Sequence, residues 1–104
     1  MIARTPSPPY FAVIFTSIKR PNDIGYSEMA KHMEELVVKQ PGYMGHESAR
    51  DGLGITVSYW ESLEAIAAWK ALSDHKTAQK LGKESWYSNY AVRICRVEKA
   101  YVFP

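Results

Sequence analysis

The segment Tyr10-Phe11-Ala12-Val13-Ile14-Phe15-Thr16-Ser17 constrains this chain more than any other. It is aromatic and β-branched, so it reads as a strand. Phe11, Val13 and Phe15 share one face; Tyr10, Ala12, Ile14 and Thr16 share the other. Both faces are largely apolar, and such a strand has to be covered on both sides. With 104 residues the chain fits one domain with a modest core. It has enough length for a sheet and one covering layer, so the second cover has to be explained.

The rest of the chain supplies the first layer. After the break at Arg20-Pro21-Asn22-Asp23, Tyr26, Met29, Ala30, Met33, Leu36 and Val37 recur at i, i+3, i+4, i+7 spacing. That spacing predicts an amphipathic helix, with Ser27 or Asp23 as cap and Gln40-Pro41-Gly42 as stop. Tyr43 to Arg50 and Gly54 to Trp60 read as two strands joined at Asp51-Gly52-Leu53. A second helix is expected over Ser62 to Leu72, capped by Ser62, with Ala65, Ile66, Trp69 and Leu72 inward. Ser73 to Leu81 is expected to be a further turn or short helix closed by Gly82. Ser88 to Phe103 reads as a long last strand whose apolar phase changes between Ile94 and Val97, implying a bulge or a sharp bend. Met1 to Pro9 is a Pro-rich leader, expected to be flexible, before a single domain over residues 10–104.

The order β-α-β-β-α-β is the ferredoxin-like α+β arrangement with a four-stranded antiparallel sheet and both helices on one face. The opposite face still carries Val, Ile, Phe and Tyr. A second copy packed sheet to sheet would cover it, so a homodimer is expected.

Composition narrows the functions. A net charge of +2 with no run of Lys or Arg argues against nucleic acid and anionic membranes. No apolar run is long enough for a membrane span, and the leader lacks a signal-peptide block, so a cytoplasmic protein is the default. The single cysteine, Cys95, excludes an intrachain disulfide and reads as an inert thiol. No His-Glu-x-x-His, Cys-x-x-Cys, Gly-x-Ser-x-Gly or phosphate-loop pattern occurs, so neither a metal nor a nucleotide cofactor is expected.

What remains is aromatic. Trp60 and Trp69 flank the turn between the third strand and the second helix. Trp69 is either a core anchor or the wall of a helix-sheet cleft against which a flat ligand stacks. Trp86, Tyr87 and Tyr90 follow the polar loop Gly82-Lys83-Glu84-Ser85 and form either a plug or a pocket mouth. Of the histidines, His32 is expected at the surface and His46 in the interior or at a dimer seam. His75, six residues past Trp69, is the candidate proton carrier beside the cleft.

Pro41-Gly42-Tyr43-Met44-Gly45, the run Thr56 to Lys70 with its Trp-x-Ser-x-x-Ala-x-x-x-Trp frame, then Trp86-Tyr87 and Tyr90, resemble the antibiotic biosynthesis monooxygenase domain family. The resemblance spans roughly Tyr10 to Phe103. It implies a dimeric α+β barrel, in a family whose functions are scattered and many of whose members have no known substrate. Some members oxidise polyketide-type phenols to quinones with molecular oxygen and no cofactor; others bind heme in the helix-sheet cleft and open its ring. Heme-degrading members use an Asn on the first strand, a Trp on the second helix and a His ten residues after it. Here Trp69 matches the Trp, Gln79 stands at the His position, and no Asn lies near Thr16. Phenol-oxidising members use a third-strand Asn four residues before a Trp. Here Trp60 matches the Trp and Thr56 stands at the Asn position. The resemblance thus implies a cofactor-free monooxygenase acting on a flat phenolic small molecule. Thr56, Trp60, Trp69, Trp86 and Tyr90 would line its pocket, and His75 and Tyr87 would handle the proton. The alternative is a heme- or small-ligand-binding module without turnover.

Overall fold

The computed structural model describes residues 1–21, 24–81 and 86–104. Its elements are β1 (Tyr10–Lys19), α1 (Tyr26–Val37), β2 (Tyr43–Asp51), β3 (Leu53–Trp60), α2 (Leu63–Leu81) and β4 (Tyr87–Val97). The four strands form one antiparallel sheet in the order β2-β3-β1-β4. This is the ferredoxin-like α+β arrangement that the periodicities predict.

Register decides which residues meet. Phe11 pairs with Trp60 and Arg96, Val13 with Ser58 and Ile94, Phe15 with Thr56 and Val92, and Ser17 with Gly54 and Tyr90. Because side chains alternate along a strand, these residues share one face. Val37 of α1 and Ile66 of α2 are buried against Trp60, with Phe11, Val13, Tyr43, Ala65 and Trp69 packed around them. Both helices therefore lie on that face. Gly42, at a φ of 83°, allows the close approach of α2. A Cβ there would stand 2.7 Å from the Ala65 Cβ.

On the opposite face Tyr10 and Ala12 are buried. Tyr10 packs edge-on against Tyr59 at 5.9 Å. Two leader residues touch this face. The Ala3 amide donates to Glu47 at 2.9 Å, and the Thr5 hydroxyl to the Tyr10 hydroxyl at 2.9 Å. Farther along, Ile18, Leu53 and Ile55 stay exposed as one contiguous apolar strip.

Four local expectations need correction. First, α2 runs unbroken through Ser73, because Lys70 pairs with Asp74 at i, i+4 and the Ser73 hydroxyl donates back to the Lys70 carbonyl. Second, Gly25, not Ser27, precedes α1, and its carbonyl accepts the Met29 amide; among the described residues no side chain caps that end. Asp23 and Gly82 lie outside the described residues. Third, β4 ends at Val97, the partner of Tyr10, where β1 begins and the ladder has no further strand to meet. Fourth, the apolar phase change in β4 is not a bulge. The ladder is regular there, and Val97 simply faces the other side; the irregularity in that pairing falls between Ile18 and Lys19. The Ser62 cap forms as expected, accepting the Ala65 amide at 3.1 Å.

Candidate binding cleft

The helix-facing side of the sheet is closed over β3 and open over β4. Trp60 at the end of β3 has no exposed surface. Its indole N–H donates to the Ser58 hydroxyl at 2.9 Å, which satisfies the polar edge inside the core. Trp69, one face-length along α2, stacks on it with ring centroids 6.4 Å apart and planes 26° apart. Trp69 itself is only half-buried. One side of its ring system rests on Trp60, and part of its surface remains open.

Among the described residues, α2 makes its closest backbone approach to the sheet at β3. On β4, Tyr90 (60%), Val92 (45%) and Ile94 (52%) point to the helix side yet stay exposed. Phe15 carries this apolar strip across β1, packing on Tyr87 at 5.2 Å and on Tyr90 at 5.4 Å. Thr56 lies beside Phe15, half-buried, on the same face. Exposed aliphatic and aromatic side chains thus run along β4 and onto Phe15 of β1 on the face that carries Trp69.

The far end of this face is polar. The Tyr87 and Tyr26 hydroxyls share a hydrogen bond at 3.3 Å, with their rings edge to face at 5.9 Å. Burial, then the bond to Tyr26, push the Tyr87 hydroxyl well above the ordinary phenol range, although the nearby Arg50 charge opposes this. Tyr87 therefore stays a neutral phenol at physiological pH, able to donate or accept a hydrogen bond but not to serve as an anionic base. Trp86 packs edge-on to Tyr26 at 6.0 Å and lies against Gly25. Its backbone carbonyl accepts the Arg20 amide at 2.8 Å. Its buried indole N–H has no acceptor among the described residues. The loop Gly82 to Ser85 is outside those residues.

Of the expected site residues, Trp60, Trp69, Thr56, Tyr87 and Tyr90 share one sheet face or pack on it, and Trp86 closes its end against α1. His75 is exposed on α2. Six residues past Trp69 is about 240° around a helix, so it lies off the Trp69 stripe. The described part of Gln79 is its backbone alone.

The sequence reading leaves His46 between the interior and a dimer seam and passes over Tyr43 and Arg50 as site residues. Tyr43 and His46 share a 2.5 Å hydrogen bond, and the other His46 nitrogen lies 3.6 Å from the Glu34 carboxylate. Burial, then the Glu34 charge, raise the Tyr43 phenol above its ordinary value. Arg50 of β2 reaches across Gly54 to the buried Ser17 of β1, donating to its hydroxyl at 2.6 Å.

Residues 9–81 match the family model described as antibiotic biosynthesis monooxygenase. An uncharacterised protein, YqjZ, from Bacillus subtilis is 48% identical over 104 residues, covering 98% of this chain and 91% of its own length. A jasmonate monooxygenase from Pyricularia oryzae is 24% identical over 92 residues, 84% of this chain, which spans only 43% of that relative. Among solved structures, SnoaB, a cofactor-independent oxygenase from Streptomyces nogalater, superposes with a TM-score of 0.68 at 11% identity, covering 89% of this chain and 97% of its own. A mutant of MhuD, with two manganese protoporphyrin IX bound per active site, superposes with a TM-score of 0.63 at 16% identity, covering 90% of this chain and 96% of its own.

Proposed function

We propose, for a chain that belongs to the antibiotic biosynthesis monooxygenase family, that the groove between α2 and β4 binds a flat phenolic small molecule and oxidises it with molecular oxygen. The observation that carries this reading is the exposure of Tyr90, Val92 and Ile94 on the helix side of the sheet, beside a half-buried Trp69. Apolar surface of this kind, next to a few polar groups, is what an aromatic ligand desolvates.

The chemistry is that of the bound phenol. Its ionised form gives an electron to oxygen, and the ring is oxygenated at an unsubstituted position. For 1-naphthol, one dioxygen converts the phenol and its para C–H into 1,4-naphthoquinone and one water, so atoms and electrons balance. Trp69 and Phe15 hold the ring plane. The neutral Tyr87 hydroxyl offers a hydrogen bond to an oxygen of the ligand. The cofactor-independent neighbour supports oxidation without a bound group, and Gln79 in place of a His fits poorly with heme ligation.

The same reading makes the active form a cytoplasmic homodimer whose copies cover the strip Ile18, Leu53 and Ile55 against each other. An Ile55→Asp variant should then sediment as a monomer while the wild type sediments as a dimer; wild-type monomers at micromolar concentration would remove the dimer from the proposal.

Oxygen uptake with 1-naphthol, with product followed by mass spectrometry under labelled dioxygen, tests the activity. One labelled oxygen atom in the quinone, lost in Trp69→Ala, is the expected result. A hemin titration is run in parallel. A shifted Soret band with no oxygen uptake on the phenol would favour the binding-module reading instead.

A further inference from the structure

We infer that Arg50 is the specificity residue of this cleft and that the ligand it selects is an aromatic acid, held by its carboxylate. The inference rests on the cleft reading above and names what that cleft takes. It starts from an unusual placement. Arg50 is exposed and lies on the helix-facing side of the sheet. A cation there needs a reason, and an ion pair does not supply one: among the described residues no carboxylate pairs with it.

The chain is arranged to hold this guanidinium. Gly54 of β3 stands between Arg50 and Ser17 in the register. A Cβ at position 54 would collide with the guanidinium carbon and nitrogens, so only glycine lets the side chain lie flat across β3. Ser17, 2% exposed, then accepts from one guanidinium nitrogen through its hydroxyl at 2.6 Å. The other terminal nitrogen reaches the Ser17 and Gly52 carbonyls, both at 3.4 Å. A guanidinium has five N–H donors. Three are directed at the sheet, which leaves two, the number a carboxylate accepts side by side.

The surroundings fix the rest of the ligand. Ser17 pairs with Tyr90, and Phe15, two residues earlier on the same face, packs on both Tyr90 and Tyr87. The immobilised cation therefore stands at the end of the aromatic groove. A ring lying along Phe15 and Tyr90 would present a ring carboxylate to Arg50. Arg suits this task better than Lys because its planar fork is already oriented.

The test is calorimetric titration with two probes of matched shape, 2-naphthoate and neutral 2-naphthol, at pH 7. The wild type should bind the acid roughly tenfold more tightly than the phenol, the size expected for a charge-assisted hydrogen-bonded pair. Arg50→Gln should weaken the acid by about tenfold and leave the phenol unchanged. Gly54→Ala should do the same by pushing the guanidinium off Ser17 while keeping its charge. Trp69→Ala should weaken both probes. If both probes bind the wild type equally, or Arg50→Gln keeps the preference for the acid, the anchor is wrong and the cleft survives. If neither probe binds the wild type, the cleft and the anchor fall together.

Discussion

Trp60 and Ile94 project from the same face of the same sheet, yet Trp60 is wholly buried and Ile94 is 52% exposed. The difference lies in what covers them. Over β3, Val37 from α1 and Ile66 from α2 converge on the Trp60 ring. Over β4 the apolar side chains continue, and among the described residues no such cover converges on them. Identical strand chemistry thus makes a core in one half and an exposed apolar face in the other. Hydrophobicity alone does not separate core from site; the close approach of α2 to β3 does. Trp69 belongs to both halves, with one part of its ring system stacked on Trp60 and another part open.

This contrast can be broken at several points. The largest effect is expected in the closed half. Trp60→Ala should cost about 3–5 kcal/mol in chemical denaturation, the range for deleting a fully buried aromatic. Gly42→Ala should follow at about 1–3 kcal/mol, because the added methyl meets Ala65 in a packed contact and the residue sits at positive φ. Trp69→Ala should cost less than Trp60→Ala, about 2–3 kcal/mol, since part of its ring stays exposed while Trp60 is fully buried, and it should remove ligand affinity. If Trp69→Ala proved as damaging as Trp60→Ala, the two halves would be one core. In the open half, Ile94→Thr should stay within about 0.5 kcal/mol of wild type in thermal unfolding, because an exposed side chain contributes little to the core. The same variant should weaken binding of the aromatic probes.

The smallest effect concerns the opposite sheet face and depends on pH. The Tyr59 hydroxyl donates to Glu47 at 2.6 Å, and the Ala3 amide donates to the same carboxylate. These bonds, that from Tyr59 first, hold the Glu47 carboxyl below the usual carboxylate range. A lowered folded-state value stabilises above the unfolded value near 4.5, and that contribution is lost as pH falls through the lowered value. Tyr59 is raised to about 12, mainly by burial and then by Glu47. Its contribution is complete below about pH 10 and lost between there and about 12. Melting temperatures of wild type and Glu47→Gln should differ most near neutral pH and converge at both extremes. A difference that does not change with pH would remove this network from the account.

Most of the fold was legible because strand and helix leave separate periods in the sequence, and β1 and α1 show them cleanly. The continuity of α2 was not, since Ser73-Asp74-His75 reads as a break. Only the pairing of Asp74 with Lys70 and the back-bonded Ser73 reveal that these polar residues suit the helix. Within the site, the Trp60–Trp69 pair was readable from its strand–turn–helix frame. The meeting of Tyr43 with His46 was not. In a regular strand, residues three apart face opposite ways, and it takes the irregularity between Tyr43 and Gly45 to turn both to one side. Arg50 left only a faint mark, a glycine opposite it in the hairpin. Cross-strand reach of that kind depends on register, which one strand's pattern does not specify.

The open groove itself is tested most directly by solution NMR during a titration with 2-naphthoate. The indole N–H of Trp69 and the backbone amides of Tyr90, Val92 and Ile94 should shift and saturate together, with the indole N–H of Trp60 moving far less. Saturating shifts at Ile18, Leu53 and Ile55, with none on the β4 side, would contradict the assignment of the groove as the binding site.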